Sequence, residues 1–194
     1  MAIEGIRKFG MAIDYETSGY ILPDYTSKHQ GISFGAIIFD VSTFEPVEEL
    51  YREIKFNPKY EWNNGAEKVH SLSREYLEEH GVSQEEAACD LANLVVKYMG
   101  TDEIILLGHR VNFDKAFTIQ LMDTVDIKFN YHPTIFDTCA FASAFMELAY
   151  SDSLFKVLGL PDRKAHNAME DIRMTLLSMK KMKEFFINGI ASSL

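Results

Sequence analysis

At 194 residues the chain has room for one domain built as a sheet covered by helices. Its net charge of −10 and pI near 5.0 exclude a protein that grips phosphate backbones by charge alone. Hydrophobic residues at 47% and charged residues at 25% exclude disordered and fibrous classes.

The N-terminus, MAIEGIRKFG, meets charge too early for a signal-peptide apolar region, and no apolar run reaches the length of a membrane span. Cys89 and Cys139 stand in no ligand pattern. A cytoplasmic location, no membrane partner and two reduced thiols inside helices are therefore expected.

Phe9–Tyr15 (FGMAIDY) is an apolar run ending in acidic residues and then Thr17-Ser18-Gly19, which predicts a buried strand with functional groups at its end. Ile32–Val41 and Val47–Phe56 read as a second and a third strand. Between the first two, YILPDYTSKHQG reads as a polar and aromatic loop overhanging the first strand. From Gly65 the period changes, and AEKVHSLSREYLEEHG predicts short helical pieces with Ser71 or Ser73 as a cap and Gly81 as a stop. Ser83 opens a capped amphipathic helix with Leu91, Leu94, Val95 and Tyr98 on one face.

Ile104–Gly108 is a wholly apolar strand, Asn112–Met122 a helix, and Thr134–Thr138 a fifth strand. Helices are expected at Cys139–Tyr150, near Ser153–Leu158, and from about Ala165 to Ile187. The last should bury Ile172, Leu176, Met179, Met182 and Phe186. Three strands in succession, then strand and helix alternating, predict an α/β domain over 1–194. Its mixed five-stranded sheet would be an antiparallel meander continued by parallel crossovers and flanked by helices.

Three short segments concentrate the chemistry. Asp14 and Glu16 stand two apart on a strand, so both side chains share one face. Two carboxylates at the end of an apolar strand are costly unless a cation offsets them, and hard oxygen ligands suit Mg²⁺ or Mn²⁺. On its own the pair is weak evidence, since such a pair is far more often a solvated strand end than a metal site. Asp114, in GHRVNFD, falls in the first turn of a helix, where an acidic residue is favoured for ordinary reasons. His166 and Asp171, in HNAMED, open the last helix and can converge on one site if His166 sits on the helix entry. A histidine coupled to a carboxylate in a metal site is placed to take a proton from water.

In order and context these segments resemble the three motifs of the DEDDh exonuclease family, which includes replicative proofreading exonucleases and RNase T-like trimming enzymes. DYETSG resembles Asp-x-Glu-Thr-Gly, GHRVNFD resembles Gly-His-Asn-x-x-Phe-Asp, and HNAMED matches His-x-Ala-x-x-Asp. GAEKVHSLSREYL, FDTCAFA and LFKVLGLP resemble the family's intervening segments, so the resemblance spans about residues 9–185. Arg110 stands where the family has Asn, and Ser71 where it has Gly. The tyrosine-type sister family is disfavoured because Asn167 stands four residues before Asp171.

The resemblance implies an RNase H-like fold and a 3′–5′ exonuclease that uses two Mg²⁺ or Mn²⁺ ions. Asp14 would bridge both ions, Glu16 and Asp171 would complete the nucleophile side, and Asp114 would hold the other. His166 would serve as general base. Tyr15, Thr17, Ser18, His109, Arg110 and Asn112 would contact substrate, with Arg110 reaching a phosphate or a base. The partner is the 3′ end of single-stranded DNA or RNA, DNA favoured, and the products are nucleoside 5′-monophosphates.

Tyr15, Tyr20 and Tyr25 are candidates to stack on bases, whereas Phe113 fits better as packing under its helix. Arg110, Lys115, Arg163, Lys164 and Arg173, followed by Lys180, Lys181 and Lys183, predict a modest basic rim and short processive runs. No protein partner is evident, and no tail dedicated to a polymerase or clamp is expected. The rival readings are RNA 3′-end trimming or oligonucleotide degradation, a catalytically silent nucleic-acid-binding module, and a metal-dependent phosphatase for small molecules.

Overall fold

The computed structural model describes residues 7–20, 28–163 and 166–191. Tyr25, Lys164 and Ala165, and most of the loop expected to overhang the first strand, lie outside the described residues. Among those described, five strands form one sheet: β1 (Phe9–Thr17), β2 (Gly31–Asp40), β3 (Pro46–Glu53), β4 (Ile104–Gly108) and β5 (Tyr131–Asp137). The order is β3-β2-β1-β4-β5. β1 pairs antiparallel with β2, and β2 with β3, while β1–β4 and β4–β5 are parallel. The expected meander followed by crossovers is therefore the observed sheet.

Helices cover both faces. α1 (Asn64–His70), α2 (Arg74–His80), α3 (Gln84–Met99) and α4 (Asn112–Met122) follow the chain from β3 to past β4. α5 (Thr138–Met146), α6 (Ser151–Val157) and α7 (Ala168–Ala191) follow β5. Met11, Ile13 and Tyr15 of β1 pack with Leu91, Val95, Phe117 and Leu121 of α3 and α4. Ala12, on the alternate face, joins Ile37, Ile105 and Leu107 against Ile172, Leu176, Met179 and Met182 of α7. Strand alternation thus divides the core in two and assigns the face of Ala12, Asp14 and Glu16 to α7.

Element ends follow local chemistry. Ser73 caps α2 and Ser83 caps α3, each accepting a hydrogen bond from the backbone N–H three residues on. Ser71 instead ends α1 in a left-handed conformation at φ 64°, which explains why the resembling family has Gly there. β5 begins at Tyr131, before Pro133, because an edge strand tolerates a residue without an N–H. α5 stops at Met146, short of the expected Tyr150, where Glu147 turns left-handed at φ 55°.

Phe186 corrects the expected buried stripe. Lys180 bonds Glu45 and Lys183 bonds the Ser42 carbonyl, so α7 has already reached the β2–β3 turn at the far end of the sheet. Phe186 lies beyond it, 39% exposed, against the rings of Phe141 and Phe145.

Candidate active site

The site forms along the last residues of β1, which run on past the end of β4. Asp14 and Glu16 project from β1 toward the α7 face. Asp14 pairs across the ladder with Gly35, and Glu16 with Ser33. Gly35 has a specific function: a Cβ there would stand 2.6 Å from Met169 Cα and 2.7 Å from the Ala168 carbonyl oxygen. The first turn of α7 therefore rests directly on the backbone of β2, beside Asp14, and only glycine permits that approach.

Asn167 opens α7 by accepting from Glu170 N at 3.1 Å, the arrangement of a helix cap. One turn in, Asp171 turns back to the entry loop. Its Oδ2 accepts from the His166 backbone N–H at 3.0 Å, and its Oδ1 accepts from Arg163 Nε. His166 is exposed and held at φ 60°, so the backbone itself swings the imidazole to the carboxylate side. Ligand atoms of Glu16, His166 and Asp171 lie within 4.8 Å of one another.

Asp114 comes from the first turn of α4 and is buried. Its Oδ1 accepts from the Tyr15 backbone N–H at 3.0 Å. The turn leading to α4 is shaped by Asp137, whose carboxylate accepts from Arg110 N at 3.1 Å and Val111 N at 3.2 Å while also capping α5. Thr138 Oγ1 donates to the Gly108 carbonyl at 3.2 Å, fastening the ends of β4 and β5.

The electrostatics identify these groups as one cluster. Burial pushes the Asp14 carboxyl well above its usual range, and Asp114, Glu16 and Asp171 push it further. Burial and then Asp171 raise Glu16 to about 8. Burial raises Asp114, with Asp137 and Glu16 adding to it, and burial also raises Asp171 against the opposing pull of Arg163. Four carboxylates, each raised by burial and three of them further by neighbouring acids, are the environment a divalent cation stabilises, and oxygen donors with one imidazole nitrogen at hand fit such an ion.

The expected substrate contacts fare differently. The Tyr15 ring lies on the opposite face, buried between Phe34 and Phe117 with centroids 5.6 Å and 6.1 Å away, because strand alternation turns it from Asp14. Its backbone alone reaches the site. Ser18 is fully buried; its hydroxyl donates to the Glu61 carbonyl at 2.8 Å and accepts from Gln30 N at 2.9 Å. Thr17 is nearly buried and its hydroxyl bonds the Gly19 carbonyl. These two residues shape the end of β1.

His109 bonds Thr138 Oγ1 at 2.9 Å through Nδ1, and Arg110 donates to the Ala149 carbonyl at 3.2 Å. Both tie the β4–α4 turn to the loop before α6. Asn112 is exposed at the start of α4, Tyr20 is 61% exposed just past β1, and Phe113 packs on Phe117 as expected.

The expected basic rim is mostly spent on structure. Arg173 pairs with Glu49 and Glu170, Lys180 with Glu45, and Lys181 donates to the Leu158 carbonyl at 3.1 Å. Lys115 lies 4.5 Å from the centroid of the Tyr131 ring. Among the described residues, Arg163 is a cation whose attraction reaches both Asp171 and Asp14. Its pairing with Asp171, the double capping by Asp137 and the glycine seat at Gly35 were not singled out from sequence, though a glycine in mid-strand and an Asp-Thr pair at a strand end were visible signals.

A cleft of about 230 Å³ opens beside Glu16 and His166, lined also by Ser33, Glu53, His70 and Leu72. His70 Nδ1 accepts from Leu72 N at 3.0 Å, which leaves its proton on Nε2. Burial lowers the pKa of this ring and keeps it neutral.

The exonuclease family model matches residues 11–178. No curated protein matches the chain. Among solved structures, exonuclease I aligns with a TM-score of 0.74 at 21% identity, covering 92% of this chain and 41% of that one. The zinc-bound complex of E. coli exonuclease I with single-stranded DNA gives 0.73 at 20%, again covering 92% and 41%. A moderately thermophilic exonuclease I from Methylocaldum szegediense gives 0.70 at 15%, covering 91% and 40%. The likeness is one of fold, the RNase H-like fold, and the chain spans about two fifths of the length of these proteins.

Proposed function

Because the chain belongs to the exonuclease family, we propose that it is a DEDDh-type 3′–5′ exonuclease releasing nucleoside 5′-monophosphates from single-stranded DNA, with two Mg²⁺ or Mn²⁺ as cofactors. The observation that carries this reading is the convergence of Asp14, Glu16, Asp114 and Asp171 with His166 at the end of β1, past the end of β4. A nuclease needs anionic ligands beside a proton acceptor, because a phosphodiester resists attack by neutral water.

The four carboxylates would hold the ions, which supply Lewis-acid activation of water and charge neutralisation at the phosphate. The chain's own groups do the positioning. Tyr15 N–H holds Asp114, and His166 N–H holds Asp171, so two ligands are aimed by backbone donors. The His166 imidazole, exposed beside Glu16 and Asp171, accepts the proton of the attacking water. The adjoining cleft gives water access to that side of the site. Tyr20, exposed just past β1 with its ring 5.2 Å from that of His29, would stack on a terminal base.

Single-stranded DNA is the favoured substrate because exonuclease I, of like fold, has been solved with such oligonucleotides. With the lysines of α7 engaged along the sheet, we expect short processive runs. Chromatography of the digest tests the reaction: nucleoside 5′-monophosphates support it, whereas 3′-monophosphates or intact oligonucleotide would refute it.

A further inference from the structure

Arg163 is held in a way that a surface arginine is not. Its side chain is 12% exposed. The guanidinium lies 4.6 Å from the centroid of the Phe155 ring, and one terminal nitrogen stands 2.9 Å from Asp152 Oδ1. Its Nε bonds Asp171 Oδ1. Phe155 and Asp152 both belong to α6. The arginine is thus a bridge from α6 to the most C-terminal carboxylate of the site, anchored at one end by an aromatic face and an acid.

The position has an electrostatic consequence. Asp171 offers two oxygens, and both already accept hydrogen bonds from the chain, one from a cation and one from the His166 N–H. The attraction of Arg163 also extends to Asp14, which lies on the sheet rather than on α7. One monovalent charge therefore acts on two carboxylates of the cluster.

We propose that Arg163 is a tethered counter-ion: it neutralises Asp171 while the site is metal-free and competes with the divalent ion for that carboxylate. Asp152 and Phe155 are its resting place. When Asp171 turns to a metal, the guanidinium keeps its α6 contacts and gives up Oδ1. The inference rests on the reading of Asp171 as a metal ligand. It makes Arg163 a positioning residue that sets the metal concentration at which the enzyme switches on.

The competition has a sign that a purely structural clamp would not share. Arg163→Gln removes the charge and keeps a hydrogen-bonding side chain, so Mn²⁺ should bind at least fivefold more tightly. Arg163→Lys retains the charge and should stay within about twofold of wild type. Asp152→Asn leaves Arg163 with Asp171 as its remaining carboxylate partner, strengthens the competition, and should weaken Mn²⁺ binding at least twofold. Asp152 is 68% exposed, so this variant keeps the inference testable if Arg163→Gln does not fold.

Isothermal titration calorimetry of Mn²⁺ into the metal-free full chain measures all four proteins. Tighter binding by Arg163→Gln together with weaker binding by Asp152→Asn supports the counter-ion. Weaker or unchanged binding by Arg163→Gln, or unchanged or tighter binding by Asp152→Asn, overturns it. Wild-type protein that binds no Mn²⁺ would overturn the proposed function as well, which separates the two failures.

Discussion

The backbone N–H of Tyr15 donates to Asp114 Oδ1 at 3.0 Å, so the strand residue between Asp14 and Glu16 aims the carboxylate of a helix 99 positions later. The bond ties β1 to α4 at the cluster. It also means that Asp114 has a structural acceptor role separable from its charge.

Asp114→Asn should separate the two. The amide oxygen can still accept from Tyr15 N–H, so the fold should persist. Loss of one buried charge from a cluster in which Asp14 and Glu16 stand close should raise the metal-free melting temperature by roughly 2–5 °C. Turnover should fall by at least about 100-fold, because a ligand has been lost. Melting in EDTA beside turnover with Mg²⁺ checks both; a lower melting temperature would contradict the repulsion argument.

The raised carboxyls carry a pH signature. For a group whose folded pKa exceeds its unfolded value, the stability it contributes is present below the unfolded pKa and lost as pH rises through the folded one. Glu16, raised from 4.5 to about 8, and Asp14 and Asp114, raised in the same sense, should make metal-free protein lose stability from about pH 4.5 to 8. Metal loading near neutral pH should release protons. Melting curves in EDTA from pH 5 to 9 measure the first effect, and metal calorimetry in buffers of different ionisation enthalpy measures the second.

Gly35→Ala should act through the seat of α7 on β2. The added Cβ would stand 2.6 Å from Met169 Cα, a backbone atom that cannot rotate away. Overpacking of this kind costs about 1–3 kcal/mol and would push the first turn of α7 off the sheet. Turnover should drop about tenfold or more as Asp171 and His166 move from Glu16. Denaturant melts with steady-state kinetics decide it, and wild-type values in both would remove the glycine seat from the account.

His166→Ala should leave the Asp171 contact intact, because that bond comes from the backbone N–H of residue 166. The expected loss in kcat is about 100- to 10,000-fold with Mn²⁺ affinity nearly unchanged. A large loss of affinity with little loss of kcat would instead make the imidazole a ligand.

Much of this arrangement was legible in the chain. The three motifs mark the ends of β1 and β4 and the start of α7, because apolar runs reveal buried strands and a carboxylate at their end stands out. Strand alternation is legible too: it puts Asp14 and Glu16 on one face and sends the Tyr15 ring to the other, against the expected substrate contact. Ser18, Thr17 and His109 look like polar contacts in one dimension; their partners Glu61, Gly19 and Thr138 are set by tertiary approach and by a turn that no period reveals. Arg110 is a similar case. The family's Asn suits the left-handed conformation found there, at φ 64°, so the position is a backbone requirement before it is a substrate contact.

The most direct test of the central claim uses 5′-labelled single-stranded DNA and RNA of one sequence, digested with Mg²⁺, Mn²⁺ or EDTA. The account expects a metal-dependent ladder shortening from the 3′ end, faster on DNA, and no cleavage in EDTA or with Asp14→Ala. Cleavage that persists in EDTA, immediate release of the labelled 5′ nucleotide, or no cleavage of either strand would contradict it.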